Sequence, residues 1–253
     1  MKMINCVTYL LLLCISVSAQ KKSDKQLSLH AFSYDKKAPL KLRDSLIKEE
    51  DGIKHFRISY ISTQNDRATG IMFVPTRKGP FAGVILQHGM PSSAEAYSSR
   101  ATYIAKHGAI VLAIDAPFAR HKTAGITFTP QDSVEQVQLI IDLQRAVDLL
   151  IARPDVDKDR LAFVGRSFGG VMGVLFAGVE RRVKSYLLSV CDGGQIIHFG
   201  GEDSMGEVFR SLSAGEQKRW LTAMEPIEPI KYIHRATPAN FSFSSALMIT
   251  LLA

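Results

Sequence analysis

The sequence predicts an α/β fold built on a mostly parallel sheet with helices on both faces. Three observations carry this. Short continuous apolar runs alternate with segments of helical periodicity along most of the chain. Those runs read as strands covered on both faces, the habit of a parallel sheet. And 253 residues, 46% hydrophobic and 22% charged, suit one such domain with its own core. The expected order, β-β-β-α-β-α-β-α-β, implies right-handed crossovers between neighbouring parallel strands.

The first twenty residues stand apart from that domain. Lys2 supplies a positive start, residues 7–15 are an apolar run, and Val17 and Ala19 place compact side chains at alternate positions. This is the pattern of a cleaved export signal, cut near Ala19 and Gln20. The run is too short for a stable membrane anchor, so a periplasmic or secreted protein is expected. Removal of residues 1–20 takes Cys6 and Cys14 and leaves Cys191, so no internal disulfide forms. With 31 Lys and Arg against 24 Asp and Glu the chain carries +7. No run of Lys and Arg with interleaved aromatics makes a nucleic-acid groove, and no nucleic-acid partner is expected.

Residues 21–50 are polar and lysine-rich and read as an N-terminal arm before a domain over 51–253. Strands are predicted over 53–62 and 68–76, split by the turn-forming Gln64-Asn65-Asp66. A buried strand over 81–86 runs into Gln87-His88-Gly89. Ser92-x-x-Glu95 has capping-box spacing and opens a helix to His107, stopped by Gly108. Another buried strand, 109–114, ends at Asp115-Ala116-Pro117. Ser133-x-x-Gln136 opens the longest helix, with Val134, Val137, Ile140, Ile141, Val147, Leu150 and Ile151 on its buried side. Arg153-Pro154 ends it, because a residue before proline leaves helical geometry. Residues 161–164 form a short buried strand, 167–178 a helix rich in small residues, and 183–190 a further buried strand.

The chemistry points to Ser167. Gly165-Arg166-Ser167-Phe168-Gly169 matches G-x-S-x-G, a pattern that chance alone can supply. Its setting makes it specific: it joins an apolar strand to a helix, the strand–turn–helix context of a nucleophile elbow. Gly165 and Gly169 provide the room that so tight a turn needs. No His, Asp or Glu cluster has metal-ligand spacing, and no metal or cofactor is expected.

Several stretches resemble the α/β-hydrolase fold superfamily, in its dienelactone hydrolase and acetyl-xylan-esterase-like branch. They are Leu86-Gln87-His88-Gly89-Met90, Asp115-Ala116-Pro117, and Ala152-Arg153-Pro154-Asp155-Val156-Asp157 leading through Arg160 into the glycine-rich turn. The resemblance spans most of residues 50–235. It implies a serine hydrolase acting on carboxylic esters of small molecules or carbohydrates through an acyl-enzyme. It also implies that the backbone N–H groups of Met90 and Phe168 hold the oxyanion, and that His88 is structural. A prolyl-oligopeptidase-like peptidase and a catalytically inactive fragment or binding protein on the same scaffold are the alternatives.

The general base is harder to place. After Ser167 the histidines are His198 and His234, neither in the family's usual loop, and both read as surface or structural residues. Asp192, at the end of its strand, is the best acid present. The segment 194–235 reads as a lid, in which Trp220 either contacts substrate or anchors a helix to the core. The last strands and helix of the family pattern are expected to be missing. One explanation is a tail read in a shifted frame: Met248-Ile249 is encoded only as ATG-AT followed by T, C or A, and a two-base shift places an aspartate codon across the pair. An authentic short terminus or a fragment is the alternative.

Overall fold

The computed structural model describes residues 29–63, 66–123, 125–200 and 204–244. The predicted export signal and the end of the tail lie outside them. Residues 1–33 and 34–253 form separate units. The described part of the first is a turn closed by Phe32 N–H to Leu29 O and Ser33 N–H to His30 O. The sheet and its helices belong to the second.

One eight-stranded mixed sheet runs in the order β1-β2-β3-β5-β4-β6-β7-β8. Arg43–Glu50 (β1), Ile53–Ile61 (β2) and Arg67–Pro75 (β3) pair antiparallel, and β3 is antiparallel to Ala109–Ile114 (β5). Phe81–Gln87 (β4), β5, Val156–Arg166 (β6), Ser185–Ser189 (β7) and Asn240–Ser244 (β8) are parallel. All of β5 and nearly all of β4 are buried, which is why they read as unbroken apolar runs.

Helix α1 (Ser98–Lys106) connects β4 to β5 and packs on β5 and β3. Between β5 and β6 come the short α2 (Pro117–His121) and the long α3 (Gln131–Ile151), and α4 (Phe168–Val179) then leads to β7. Helix α4 is buried along almost its whole length and therefore has no polar face. Between β7 and β8 lie α5 (Gln195–Phe199), α6 (Ser204–Ser211) and α7 (Ala214–Met224), followed by three 3-10 turns over 225–235.

Four details differ from the sequence prediction. Residues 43–50, read as part of a polar arm, form the fully exposed edge strand β1, whose lack of apolar alternation hid it. Helix α3 starts at Gln131, and Val134 is 59% exposed, while Asp132 and Gln136 lead its buried face. The Ser92-x-x-Glu95 spacing makes no capping box: a 3-10 turn at Glu95–Tyr97 precedes α1, and Asp115 Oδ1 accepts the Ala94 N–H at 2.8 Å. Strand β7 buries alternate residues, leaving Leu187 exposed. Beyond the predicted order of strands, Asn240–Ser244 pairs with β7 from Ser185↔Asn240 to Ser189↔Ser244.

Candidate active site

Strand β4 leads through α1 to β5 on one side, whereas β6 leads through α4 to β7 on the other. The carboxyl ends of β4 and β6 thus flank a topological switch point, where open parallel sheets form crevices. His88-Gly89-Met90 emerges from one strand there and Ser167 from the other.

Ser167 has φ 53° and ψ −124°, a conformation strained for any residue with a side chain. The surroundings enforce it. Its N–H donates to Ser189 O at 2.9 Å, and its carbonyl accepts from Gly170 and Val171 N–H at 2.7 and 3.0 Å. A Cβ on Gly165 would overlap the carbonyl oxygen of Gly169, and one on Gly169 would overlap that of Gln87. Only glycines let backbone pass backbone so closely.

Phe168 is the first residue of α4, so its N–H has no carbonyl one turn back and forms part of the positive end of the helix dipole. From the other strand, Gly89 presses on the elbow: a Cβ there would lie 3.2 Å from Ser167 Cβ and 3.8 Å from its Oγ. Met90 follows. Met90, Ser167 and Phe168 line one cavity of about 230 Å³, together with Val190, Asp192 and His198.

That cavity brings together side chains the sequence left apart. His198 Nδ1 lies 2.8 Å from Asp192 Oδ2, with the two side chains 44% and 42% exposed. So exposed a pair adds little to stability. Its effect is orientation: a neutral ring donating from Nδ1 to a carboxylate keeps Nε2 as its acceptor nitrogen. The signal for His198 was its place one helical turn beyond a glycine-rich loop that begins at Asp192. His234, by contrast, is exposed in the 3-10 turn Ile233–Arg235.

The helix carrying His198 is pinned from below. Glu228, only 3% exposed, accepts the Ile196 N–H at 3.2 Å from both oxygens, and a Cβ on Gly194 would overlap Oε1. Burial pushes the Glu228 carboxyl above the usual range, while the N–H groups of Ile196, Gln195 and Ile197 pull it back. Nothing in the sequence marked this residue.

His88 is buried, donating from Nδ1 to Gly89 O at 2.8 Å and accepting the Ala116 N–H on Nε2 at 3.1 Å. It ties the β4 loop to the β5 loop, and burial lowers its pKa. Asp115 completes that tie by accepting from Thr69 Oγ1 and Ala94 N–H. Cys191 also lines the cavity, but burial and the Asp192 charge push its thiol up, away from thiolate chemistry. Trp220 is fully buried, donates to Asp132 Oδ2 at 2.8 Å, and packs among Phe128, Phe199 and Phe209. It anchors the 195–235 segment to the core and does not line the cavity. Phe199 does both.

No protein-family model matches the chain. Solved structures do match it. Acetyl xylan esterase 1 from Thermoanaerobacterium sp. JW/SL YS485 superposes with a TM-score of 0.70 at 14% identity, over 87% of this chain and 77% of its own. An acetyl xylan esterase from Paenibacillus sp. R4 gives 0.62 at 16% identity, over 91% and 92%. Methylesterase BT1017 gives 0.58 at 16%, over 88% and 57%. The fold is the α/β-hydrolase fold. At these identities the likeness is one of fold alone. Among the described residues no group of three or more His, Cys, Asp or Glu gathers as a metal site, and no helix is long and apolar enough to cross a membrane.

Proposed function

We propose that this protein is a serine hydrolase of carboxylic esters, acting on small molecules or on acyl groups of carbohydrates. The observation that carries the reading is the shared cavity: Ser167, strained at its elbow, opens into the same space as a histidine already bonded to an aspartate. His198 Nε2 takes the Ser167 Oγ proton as the oxygen attacks the ester carbonyl. The N–H groups of Met90 and Phe168 hold the tetrahedral oxyanion. The protonated ring, steadied by Asp192, gives its proton to the departing alcohol. Water then repeats the sequence on the acyl-enzyme and releases the acid. This chemistry calls for no cofactor. The Lys2 start and the apolar run over 7–15 support export of the enzyme.

Hydrolysis of p-nitrophenyl acetate by wild type, Ser167→Ala and His198→Ala tests the assignment. Either variant should lose roughly 10⁴-fold or more in kcat, and the double variant little beyond that, because the two groups act as a unit. Equal, slow release by all three would overturn the reading in favour of an inactive scaffold.

A further inference from the structure

A second and larger cleft, about 830 Å³ against 230 Å³, lies on the other side of the nucleophile's strand end. It is lined by residues of α1, of the turn before it and of the β1–β2 hairpin, together with Arg166, the residue before Ser167. The two cavities are joined through hydrogen-bonded loops. Tyr97, in the wall of the large cleft, accepts the Gly89 N–H at 3.3 Å, and Gly89 packs on Ser167.

The charges in the cleft do not balance. Glu50 is paired with Lys48 at 2.5 Å and Asp51 with Lys106 at 2.6 Å, so both carboxylates are neutralised within the wall. Arg100 and Arg166 have no carboxylate partner among the described residues; Arg100 lies over the Tyr97 ring at 5.6 Å. Two guanidiniums in excess make a seat for anions, and the planar fork binds a carboxylate, like a phosphate, through two parallel N–H bonds. The remaining wall is not that of a general polyanion groove. Tyr103 offers a ring that is 49% exposed, and Ser98, Ser99 and Thr102 offer hydroxyl-bearing side chains along the same stretch. Ring faces and hydroxyls together suit pyranose rings, with their apolar faces and many hydroxyl groups.

We propose that this cleft binds an acidic glycan, a chain bearing uronic-acid carboxylates. Arg166 and Arg100 take the carboxylates and Tyr103 stacks on a sugar ring, so that the acylated sugar next along the chain reaches Ser167. The placement of the scissile ester rests on the ester-hydrolase reading above; the binding itself requires no turnover.

Calorimetric titration of Ser167→Ala protein with tetragalacturonate and with neutral xylotetraose tests it. Tetragalacturonate should bind at least about ten-fold more tightly than xylotetraose. Arg100→Gln combined with Arg166→Gln should weaken it at least about ten-fold, and Tyr103→Ala several-fold. Lys158 and Lys184, exposed outside the cleft, serve as the charge control, and Lys158→Gln with Lys184→Gln should change affinity less than about two-fold. Arg166, Tyr103, Lys158 and Lys184 are exposed and Arg100 is partly exposed over the Tyr97 ring, so an unfolding midpoint unchanged to within a few degrees should accompany each variant. Equal affinity for the neutral glycan would overturn the proposal, as would equal loss in the lysine control or equal binding of a short single-stranded DNA. Failure of esterase activity alone would overturn the preceding reading and leave this binding result standing.

Discussion

Asp132→Asn exchanges one buried carboxylate oxygen for an NH₂ while keeping the shape of the side chain. Asp132 is 2% exposed and its oxygens take four donors. Oδ1 accepts Thr127 N–H at 3.0 Å and Thr127 Oγ1 at 2.7 Å; Oδ2 accepts Phe128 N–H at 2.9 Å and Trp220 Nε1 at 2.8 Å. With its oxygen toward Phe128 N–H and Trp220 Nε1, an asparagine turns its NH₂ to the Thr127 side, where the hydroxyl can rotate to accept but the Thr127 N–H loses its acceptor. Trp220 is fully buried among three phenylalanines and cannot turn to water, and Phe128 is held at φ 56°. A hydrogen bond to a charged acceptor contributes about 1.5–3 kcal/mol, so losing the one from Thr127 N–H predicts a destabilisation of about 1.5–3 kcal/mol. That is a large share of the ~5–15 kcal/mol of a typical domain. Urea unfolding followed by tryptophan fluorescence measures it directly, since Trp220 is the one tryptophan of the chain. On the proposed reading, hydrolysis of p-nitrophenyl acetate should fall in parallel, because Phe199 packs on Trp220 and lines the Ser167 cavity. A loss under about 1 kcal/mol would refute the argument that this carboxylate anchors the 195–235 segment.

Gly169→Ala forces a methyl group into the backbone oxygens of Gln87 and His88, neither of which can turn aside; a loss of about 3 kcal/mol or more in stability is expected, and an unchanged unfolding midpoint would contradict it. Asp192→Asn should lower kcat for p-nitrophenyl acetate by about 10²–10⁴-fold by removing the group that fixes the His198 ring, and an unaltered pH–rate profile would exclude that role. His88 sets a pH dependence of stability. Burial depresses its folded pKa below the unfolded value of about 6.5, so its contribution is complete above that value and is lost as pH falls through the folded one. His55, lowered by burial too, acts in the same direction. Stability should therefore decline as pH falls below about 6.5, less steeply in His88→Gln, and identical slopes would show that the ring does not titrate against folding.

The fold class was legible because central strands of a parallel sheet are dry on both faces, and dryness on both faces leaves an unbroken apolar run. β4 and β5 are such strands. The edge strands were not legible for the same reason. β1 is exposed along its whole length, and β8 shows only Phe241 and Phe243 among polar residues, so neither carries a burial signal. The α3 register was misread because its buried face opens with Asp132 and Gln136, polar side chains that no hydrophobic period can mark.

By itself the sequence determined what short-range sterics determine. The closeness of Gly165 to the Gly169 carbonyl across the Ser167 turn is a property of a few consecutive residues, where the absence of a single Cβ decides the backbone path. Tertiary structure decided what depends on residues far apart in the chain. Asp192 and His198 share the Ser167 cavity because α5 folds back over the end of β7, and α5 is held there by Glu228, a buried carboxylate more than thirty residues later on its N–H groups. Local sequence cannot announce such a contact, because what makes a surface-type residue like Glu228 a fixed support is its removal from water, and only the assembled fold removes it.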